Sequence, residues 1–234
     1  MGYYNYYYFD WTYILVIIGA VLSIVASLNV KASYSKYAKV ANMRGITGAE
    51  AARRILEANN VMGVSVQHVS GELTDHYDPR TQTVNLSDSV YNSTSVAALG
   101  VAAHECGHVM QHETGYTPLK IRTALVPAAN IGSRFGIYIV FFGIILALEP
   151  LTTIGIWVFS LAVLFQIVTL PVEFDASRRA LVMLEGYGMM GHEEVTGARK
   201  VLTAAALTYV AAAASSVMQL ARLIILRNSR RNND

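Results

Sequence analysis

Residues 102–116, AAHECGHVMQHETGY, combine histidines and a glutamate at a spacing suited to metal chemistry. His104 and His108 are four residues apart, so on a helix they project from one face, one turn apart, and both imidazoles can reach one cation. Glu105 follows the first histidine, as in the H-E-x-x-H pattern, where two histidines bind zinc and the glutamate is the general base. The stretch predicts a helix that binds Zn²⁺; the alternative is a pair of surface histidines on an amphipathic helix.

Two neighbouring residues are not expected to bind this metal. His112 would lie about 12 Å along the helix axis from His104, too far for one ion with bonds of about 2 Å. Thr114 stands where the longer pattern H-E-x-x-H-x-x-G-x-x-H has its third histidine. Cys106, the single cysteine, faces away from the metal and excludes both an internal disulfide and a multi-cysteine zinc site.

A third ligand must therefore come from elsewhere, because a catalytic zinc site keeps three protein ligands and a water. The most suggestive segment is residues 171–180, PVEFDASRRA, which is expected to open a helix after an apolar run. A carboxylate there can complete a His₂Glu site, or can simply suit a helix N-terminus. The other candidates are a further acidic residue, His68, His76 and His192.

The composition predicts an integral membrane protein. Of 234 residues, 53% are hydrophobic and only 15% are charged. Residues 11–30 and 150–172 are uncharged runs that can each cross a hydrocarbon core of about 30 Å as a helix. Residues 135–148 reach that length only together with residues 125–133, and residues 201–221 are uncharged but alanine-rich. The net charge of +2 gives no reason to expect nucleic-acid binding.

The first segment is expected to remain in the protein as an anchor. The stretch MGYYNYYYFDWTY carries no lysine or arginine, so the basic region that a signal peptide requires is missing. Tyrosine and tryptophan prefer the membrane–water interface, which predicts an interfacial belt here. The alternative is a disordered tail.

Four regions follow from these patterns. Residues 1–30 are expected to form the tyrosine-rich anchor, and residues 31–122 a small α+β domain with the zinc-binding helix. Residues 123–172 are expected to form a transmembrane hairpin that turns near Glu149. Residues 173–234 are expected to form a charged helix, an alanine-rich helix and a basic tail. The α+β region is expected to contain a capped helix with Thr47 and Glu50 in a capping box, strands near residues 64–69, 73–77 and 83–86, and a helix beginning near Ser93 or Ser95.

Several motifs carry a family resemblance over most of the chain: DHYDPR at 75–80, LS at 86–87, VY at 90–91 and AAHECGH at 102–108. The chain resembles the bacterial membrane proteins described as putative neutral zinc metallopeptidases, and more distantly the CAAX-processing and heat-shock zinc proteases of membranes. The resemblance implies an α-helical membrane protein with a small α+β zincin-like (gluzincin) domain.

The distant relatives share a second motif, Glu-Tyr-x-Ala-Asp, whose glutamate binds zinc. Residues 173–177, EFDAS, fit that register, so the resemblance implies Glu173 as the third ligand. Ser177 stands where those relatives have an aspartate, which would normally orient a ligand. Asp175 is about 160° around the helix from Glu173, so it cannot simply substitute for the aspartate that is absent at position 177.

The mechanism that this implies is zinc-dependent peptide hydrolysis. His104, His108 and Glu173 would hold zinc with a water in the fourth position, and Glu105 would take the proton from that water. The candidate donors to the oxyanion are His76, Tyr77 and His192, although the first two also suit a hairpin strand and the third a surface loop. An extended substrate is expected to pair by strand addition with the strand formed by Thr83, Val84, Asn85 and Leu86.

Three classes of function remain to be distinguished. The leading interpretation is a membrane-embedded endopeptidase acting on polypeptides, chiefly membrane or membrane-associated proteins. The second is a non-catalytic adaptor with a structural zinc, although such a site would be expected to have four protein ligands. The third is a transporter or pore, but residues 151–170 offer only hydroxyls and Gln166 inside the bilayer. Whether the chain pairs with itself or with another membrane protein is left open.

Charge distribution predicts the topology of a multi-pass protein of the bacterial plasma membrane. No lysine or arginine precedes the first apolar run, whereas Lys31, Lys36, Lys39 and Arg44 follow it. Positive charge in short loops marks the cytoplasmic side, so residues 31–120 and the zinc site should face the cytoplasm. A basic tail follows residues 201–221, which favours a helix packed on the protein or lying at the interface rather than a crossing.

Overall fold

The structure is a computed structural model that describes residues 10–231 and the side chains of residues 10–229. The tyrosines predicted to form an interfacial belt, at residues 3–8, lie outside the described residues. The helices and strands of the described part are α1 (Tyr13–Tyr37), α2 (Gly48–Ala58), β1 (Ser65–His68), β2 (His76–Asp78), β3 (Thr83–Leu86), α3 (Asp88–Tyr91), α4 (Val96–Glu113), α5 (Thr117–Ile145), α6 (Glu149–Gly186) and α7 (His192–Arg231).

The chain divides into two compact units. A helical unit comprises residues 10–24, 126–166 and 211–231, and a mixed unit comprises residues 25–125 and 167–210. All the α/β structure belongs to the mixed unit, together with parts of the long helices.

The core of the mixed unit forms where α2 packs against α4. The Thr47 hydroxyl accepts a hydrogen bond from the Glu50 backbone N–H at 3.2 Å, as the capping-box pattern predicts. The Ser95 hydroxyl accepts one from the Ala98 N–H at 3.1 Å and starts α4 at the predicted place. Most residues of α4 are buried, and many of them have small or branched side chains. Close packing around them makes this helix a rigid support for the histidines that it carries.

The three strands form one sheet in the order β1-β3-β2. β3 is parallel to β1, with Val66 opposite Val84, and antiparallel to β2, with Tyr77 opposite Val84. Both edges of Thr83–Leu86 are therefore already paired within the sheet. The prediction that this strand adds to an extended substrate is corrected, because strand addition requires an unpaired edge.

α6 is one continuous helix of 38 residues. The sequence predicted a new helix near Pro171, but α6 begins at Glu149 and passes through that proline. Proline is tolerated inside apolar helices where neighbouring groups satisfy the backbone around it. The boundary drawn between residues 172 and 173 thus falls inside a helix.

In the helical unit, α5 and α6 form the predicted hairpin and approach closely at glycines. At Gly143, an added Cβ would lie 2.5 Å from the Thr152 backbone nitrogen. At Gly132, it would lie 2.5 Å from the Val158 carbonyl oxygen. Small residues allow apolar helices to pack backbone against backbone, which favours association within a membrane.

Within residues 10–231, four helices, α1, α5, α6 and α7, are long and apolar enough to cross a membrane. Large apolar side chains on them are exposed, including Trp157 at 72% and Ile17 at 59%. Contiguous exposed apolar surface of this kind fits a lipid environment. Residues 201–221 are part of α7, which extends for 40 residues.

Candidate metal centre

The centre is built where α4 and α6 come into contact at Gly107. A Cβ at this position would lie 2.5 Å from the carbonyl oxygen of Ala176, so only glycine fits. Glu173 lies about one helical turn before Ala176 and is thereby brought to the face of α4 that carries His104 and His108. The two imidazole centroids are 4.8 Å apart.

His104, His108 and Glu173 converge as a group that could hold a metal ion. One ligand atom from each lies within 4.8 Å of the others. Glu173 Oε2 is 3.4 Å from His104 Nε2 and 3.7 Å from His108 Nε2. Tetrahedral zinc with bonds of about 2.0–2.2 Å separates its ligand atoms by about 3.3–3.6 Å. The two glutamate–imidazole distances are close to this separation, so a small inward shift of the side chains would suit such an ion.

The environment of Glu173 also favours a cation. Its side chain is 3% exposed, and Oε2 is buried without a hydrogen-bond partner. A buried carboxylate oxygen without a partner is costly, and a metal between the three ligands removes that cost. The other oxygen, Oε1, lies 3.4 Å from Arg122 Nη1. Arg122 therefore neutralises part of the charge without occupying the ligand position.

Each histidine is oriented through its other ring nitrogen. His104 Nδ1 is 3.1 Å from the Ser177 hydroxyl, and His108 Nδ1 is 3.0 Å from Gln111 Oε1. Both contacts orient the rings with Nε2 toward Glu173. The Gln111 oxygen can only accept, so it also sets the tautomer of His108, whereas the Ser177 hydroxyl can either donate or accept. Ser177, a neutral side chain, therefore takes the position next to His104.

Gln111 is itself held by α6. It is fully buried, and its Nε2 donates to the Val172 carbonyl at 2.7 Å and to Asp175 Oδ2 at 3.1 Å. Asp175 in turn accepts a hydrogen bond from Arg179 at 2.6 Å. Asp175 therefore supports the site through Gln111 and does not belong to the ligand cluster.

His108 is in the electrostatic field of the neighbouring acids. Burial lowers the pKa of its imidazole, but the carboxylates of Glu173 and Glu105, with Gln111, outweigh burial and raise the pKa. A proton therefore competes with a metal for the ring, and metal affinity should fall as the pH is lowered.

Glu105 lines a cavity of about 160 Å³ beside the ligands. It is 8% exposed and shares this cavity with His104 and Glu173. One face of α7 contributes four lining residues, at intervals of three and four residues: Leu202, Ala205, Ala206 and Tyr209. The cavity brings a carboxylate base, a phenol and apolar side chains next to the ligand cluster.

Residues 12–228 match the family described as "Putative neutral zinc metallopeptidase". The chain belongs to this family. It is also 45% identical over 205 residues to the "Putative membrane protease YugP" of Bacillus subtilis (strain 168), a match that covers 88% of this chain and 91% of the relative. No solved structure matches the chain.

The three oxyanion donors predicted for this metallopeptidase-family chain lie on other surfaces. His76 is on β2, with Nδ1 2.8 Å from the Thr74 carbonyl oxygen. Tyr77 packs its ring on that of His112, with centroids 6.1 Å apart. His192 is exposed at the start of α7. Among the described residues that line the Glu105 cavity, none of these three is present.

His68, a candidate third ligand, lies in a separate environment, as do His112 and Cys106, which are not expected to bind the metal. His68 pairs with Asp88 at 2.6 Å, and the side chain of His112 is 48% exposed. Cys106 is fully buried, with its thiol 3.7 Å from the Ala52 carbonyl oxygen. Burial raises the pKa of the Cys106 thiol, so it stays neutral and packs as a small apolar group.

Sequence reasoning did not identify three residues of the centre. Gln111 is three residues after His108, so the helical spacing could have indicated a contact between them. No sequence spacing links Arg122 or Tyr209 to the histidines. Within the mixed unit, only the packing of α5 and α7 against its other elements brings these two side chains near the candidate ligands.

Proposed function

We propose that this protein is a membrane-anchored, zinc-dependent endopeptidase of gluzincin type. The observation that carries the proposal is the convergence of Glu173 Oε2 on two imidazole Nε2 atoms beside the Glu105 cavity. Three protein ligands with an adjoining cavity suit a catalytic zinc, whereas a structural zinc is normally closed by four ligands. This difference favours the enzyme over the non-catalytic adaptor.

Each residue of the proposed site would have a distinct chemical role. His104, His108 and Glu173 would hold zinc, which when bound supplies a Lewis acid and lowers the pKa of water. Glu105 would accept a proton from the attacking water and deliver it to the leaving amine. Arg122 and the contacts to Ser177 and Gln111 would keep the ligands in place.

Tyr209 is the donor that we propose for the developing oxyanion. It lines the same cavity as Glu105 and Glu173, and its phenol O–H is a neutral hydrogen-bond donor. A donor aimed at charge that develops during the reaction lowers the barrier more than it strengthens substrate binding. His76, Tyr77 and His192 remain predictions that would require another arrangement of the sheet or of the α7 start.

The proposed substrates are polypeptides in or at the bacterial plasma membrane, with the site facing the cytoplasm. The family and the membrane-capable helices support this location, and the apolar wall of the cavity suits apolar segments.

Purified Glu105→Gln and Tyr209→Phe variants test the proposal on an unfolded polypeptide substrate. Both should keep near-stoichiometric zinc, because neither side chain is a ligand. Glu105→Gln should lower kcat by about 100- to 10,000-fold, and Tyr209→Phe by about 100-fold or more. His112→Ala is the control and should retain both zinc and activity. Wild-type kcat in Glu105→Gln would refute the peptidase mechanism, and wild-type kcat in Tyr209→Phe would refute the assigned donor.

A further inference from the structure

A separate groove of the mixed unit lies between α1 and α7 and is lined by three cations. Its volume is about 450 Å³, and Lys36, Arg199 and Lys200 line it without any carboxylate. Within residues 10–229, none of the three forms an ion pair with an acid. Three like charges around one concave surface repel each other and attract a counter-ion.

The charged side chains of the groove lie at one end, and the other end is uncharged and mainly apolar. Tyr37 packs against Gly197, where an added Cβ would lie 2.9 Å from the tyrosine ring. α1 and α7 are thus antiparallel here, and Lys36 is near the Arg199 end of the groove. The lining farther along α1 and α7 is uncharged: Ala32, Ala204 and Leu207 are interspersed there with Asn29, Ser33 and Thr203. A phosphate alone would use only the cationic end, whereas a phospholipid would use both.

The position of the groove along α1 fits the surface of a bilayer. The uncharged run of residues 11–30 ends immediately before Lys31, and Lys36 follows within two helical turns. Lysine and arginine at this distance from a span meet lipid headgroups, and the cytoplasmic leaflet carries the anionic ones.

We propose that this groove binds one anionic phospholipid, with its phosphate on Lys36, Arg199 and Lys200 and an acyl chain along Ala32 and Leu207. The site is independent of the proposed peptidase activity. It has a structural consequence for the catalytic cavity, because Leu202 and Ala206 on the neighbouring face of α7 line that cavity. A bound lipid would hold α7 against α1 and so support one wall of the cavity.

Native mass spectrometry of the full-length protein with phosphatidylglycerol or phosphatidylcholine measures the preference directly. Phosphatidylglycerol should bind at least about tenfold more tightly, given the attraction of each cation to an anionic surface. The triple change Lys36→Gln, Arg199→Gln, Lys200→Gln should reduce the two lipids to near parity. A preference retained in this variant would overturn the site.

Two further variants make the outcome specific. A control variant removes the same charge elsewhere on the mixed unit, by Arg53→Gln, Arg54→Gln and Arg80→Gln. It should keep the preference for phosphatidylglycerol. Loss of the preference in this control would show a general charge effect and overturn the site. Ala32→Trp, at an exposed position, should obstruct the apolar end and weaken phosphatidylglycerol binding without affecting inorganic phosphate. If Ala32→Trp has no effect and inorganic phosphate displaces the lipid, the site binds a free anion and the lipid proposal is wrong. Unchanged zinc content reports that each variant is folded. If the triple variant does not fold, the single changes Lys36→Gln and Arg199→Gln replace it, and each should lose part of the preference for phosphatidylglycerol.

Discussion

At the scale of single residues, the centre depends on which nitrogen of each imidazole carries the proton. Gln111 settles this for His108, because its NH₂ group already donates to the Val172 carbonyl and to Asp175. Its Oε1 must then face His108 Nδ1, which can only be the protonated nitrogen. The lone pair of Nε2 is thereby directed toward Glu173.

The change Gln111→Met tests this role, since methionine keeps the length of the side chain but cannot accept the Nδ1–H bond. Loss of such an orienting contact should reduce zinc affinity by about 10- to 100-fold. Zinc affinity is measured by competition with a chromophoric chelator, and Gln67→Met on the exposed face of β1 is the matched control. A wild-type affinity in Gln111→Met would show that the contact does not orient the ligand.

Glu173 and Asp175 are two acids of one helix with different roles. Glu173→Gln should lower zinc affinity more than any other single acid-to-amide change in the site, because the carboxylate oxygen is the proposed third ligand. Asp175→Asn should have a smaller effect, since it acts through Gln111. Metal analysis after dialysis against a chelator compares the two. Greater zinc loss from Asp175→Asn would move the third ligand to Asp175.

At the scale of elements, the ligand set requires the close approach of α4 and α6. Gly107→Ala would place a methyl group 2.5 Å from the Ala176 carbonyl oxygen, so the helices must separate. Overpacking of this kind costs about 1–3 kcal/mol and should also move Glu173 away from the histidines. The thermal unfolding temperature and the zinc content should both fall. Gly186→Ala, where a Cβ has open space, is the control on α6 and should preserve both.

The sequence could predict the elements that have a local cause. The caps at Thr47 and Ser95, the two histidines on one face of α4 and the hairpin turn before Glu149 follow from short-range patterns. β3 as the middle strand could not be predicted, because strand order depends on contacts distant in sequence. The same holds for Tyr209, which is 100 or more residues from the histidines and reaches the cavity only through the packing of α7.

At the scale of the whole molecule, the question is whether α7 crosses the membrane. Its last part belongs to the helical unit, where Arg222 lies 3.0 Å from Asp10 and Arg227 lies 3.4 Å from Glu149. Asp10 precedes α1 and Glu149 begins α6, the two places that the charge rule assigns to the outside. These acids offset the positive charge that would oppose a crossing. We therefore expect α7 to be a fourth span, with the tail outside.

Cysteine labelling of intact cells with a membrane-impermeant thiol reagent tests this topology. In a Cys106→Ala background, single cysteines at residues 2, 151 and 231 should label from outside, and one at residue 39 only after permeabilisation. Labelling of residue 231 only after permeabilisation would show that α7 does not cross and lies on the protein or at the interface. Labelling of residue 39 in intact cells would invert the whole arrangement and place the metal centre outside. Because Glu173 is in α6, which begins near residue 151, the pattern at 39 and 151 also decides on which side of the bilayer the proposed peptide hydrolysis would take place.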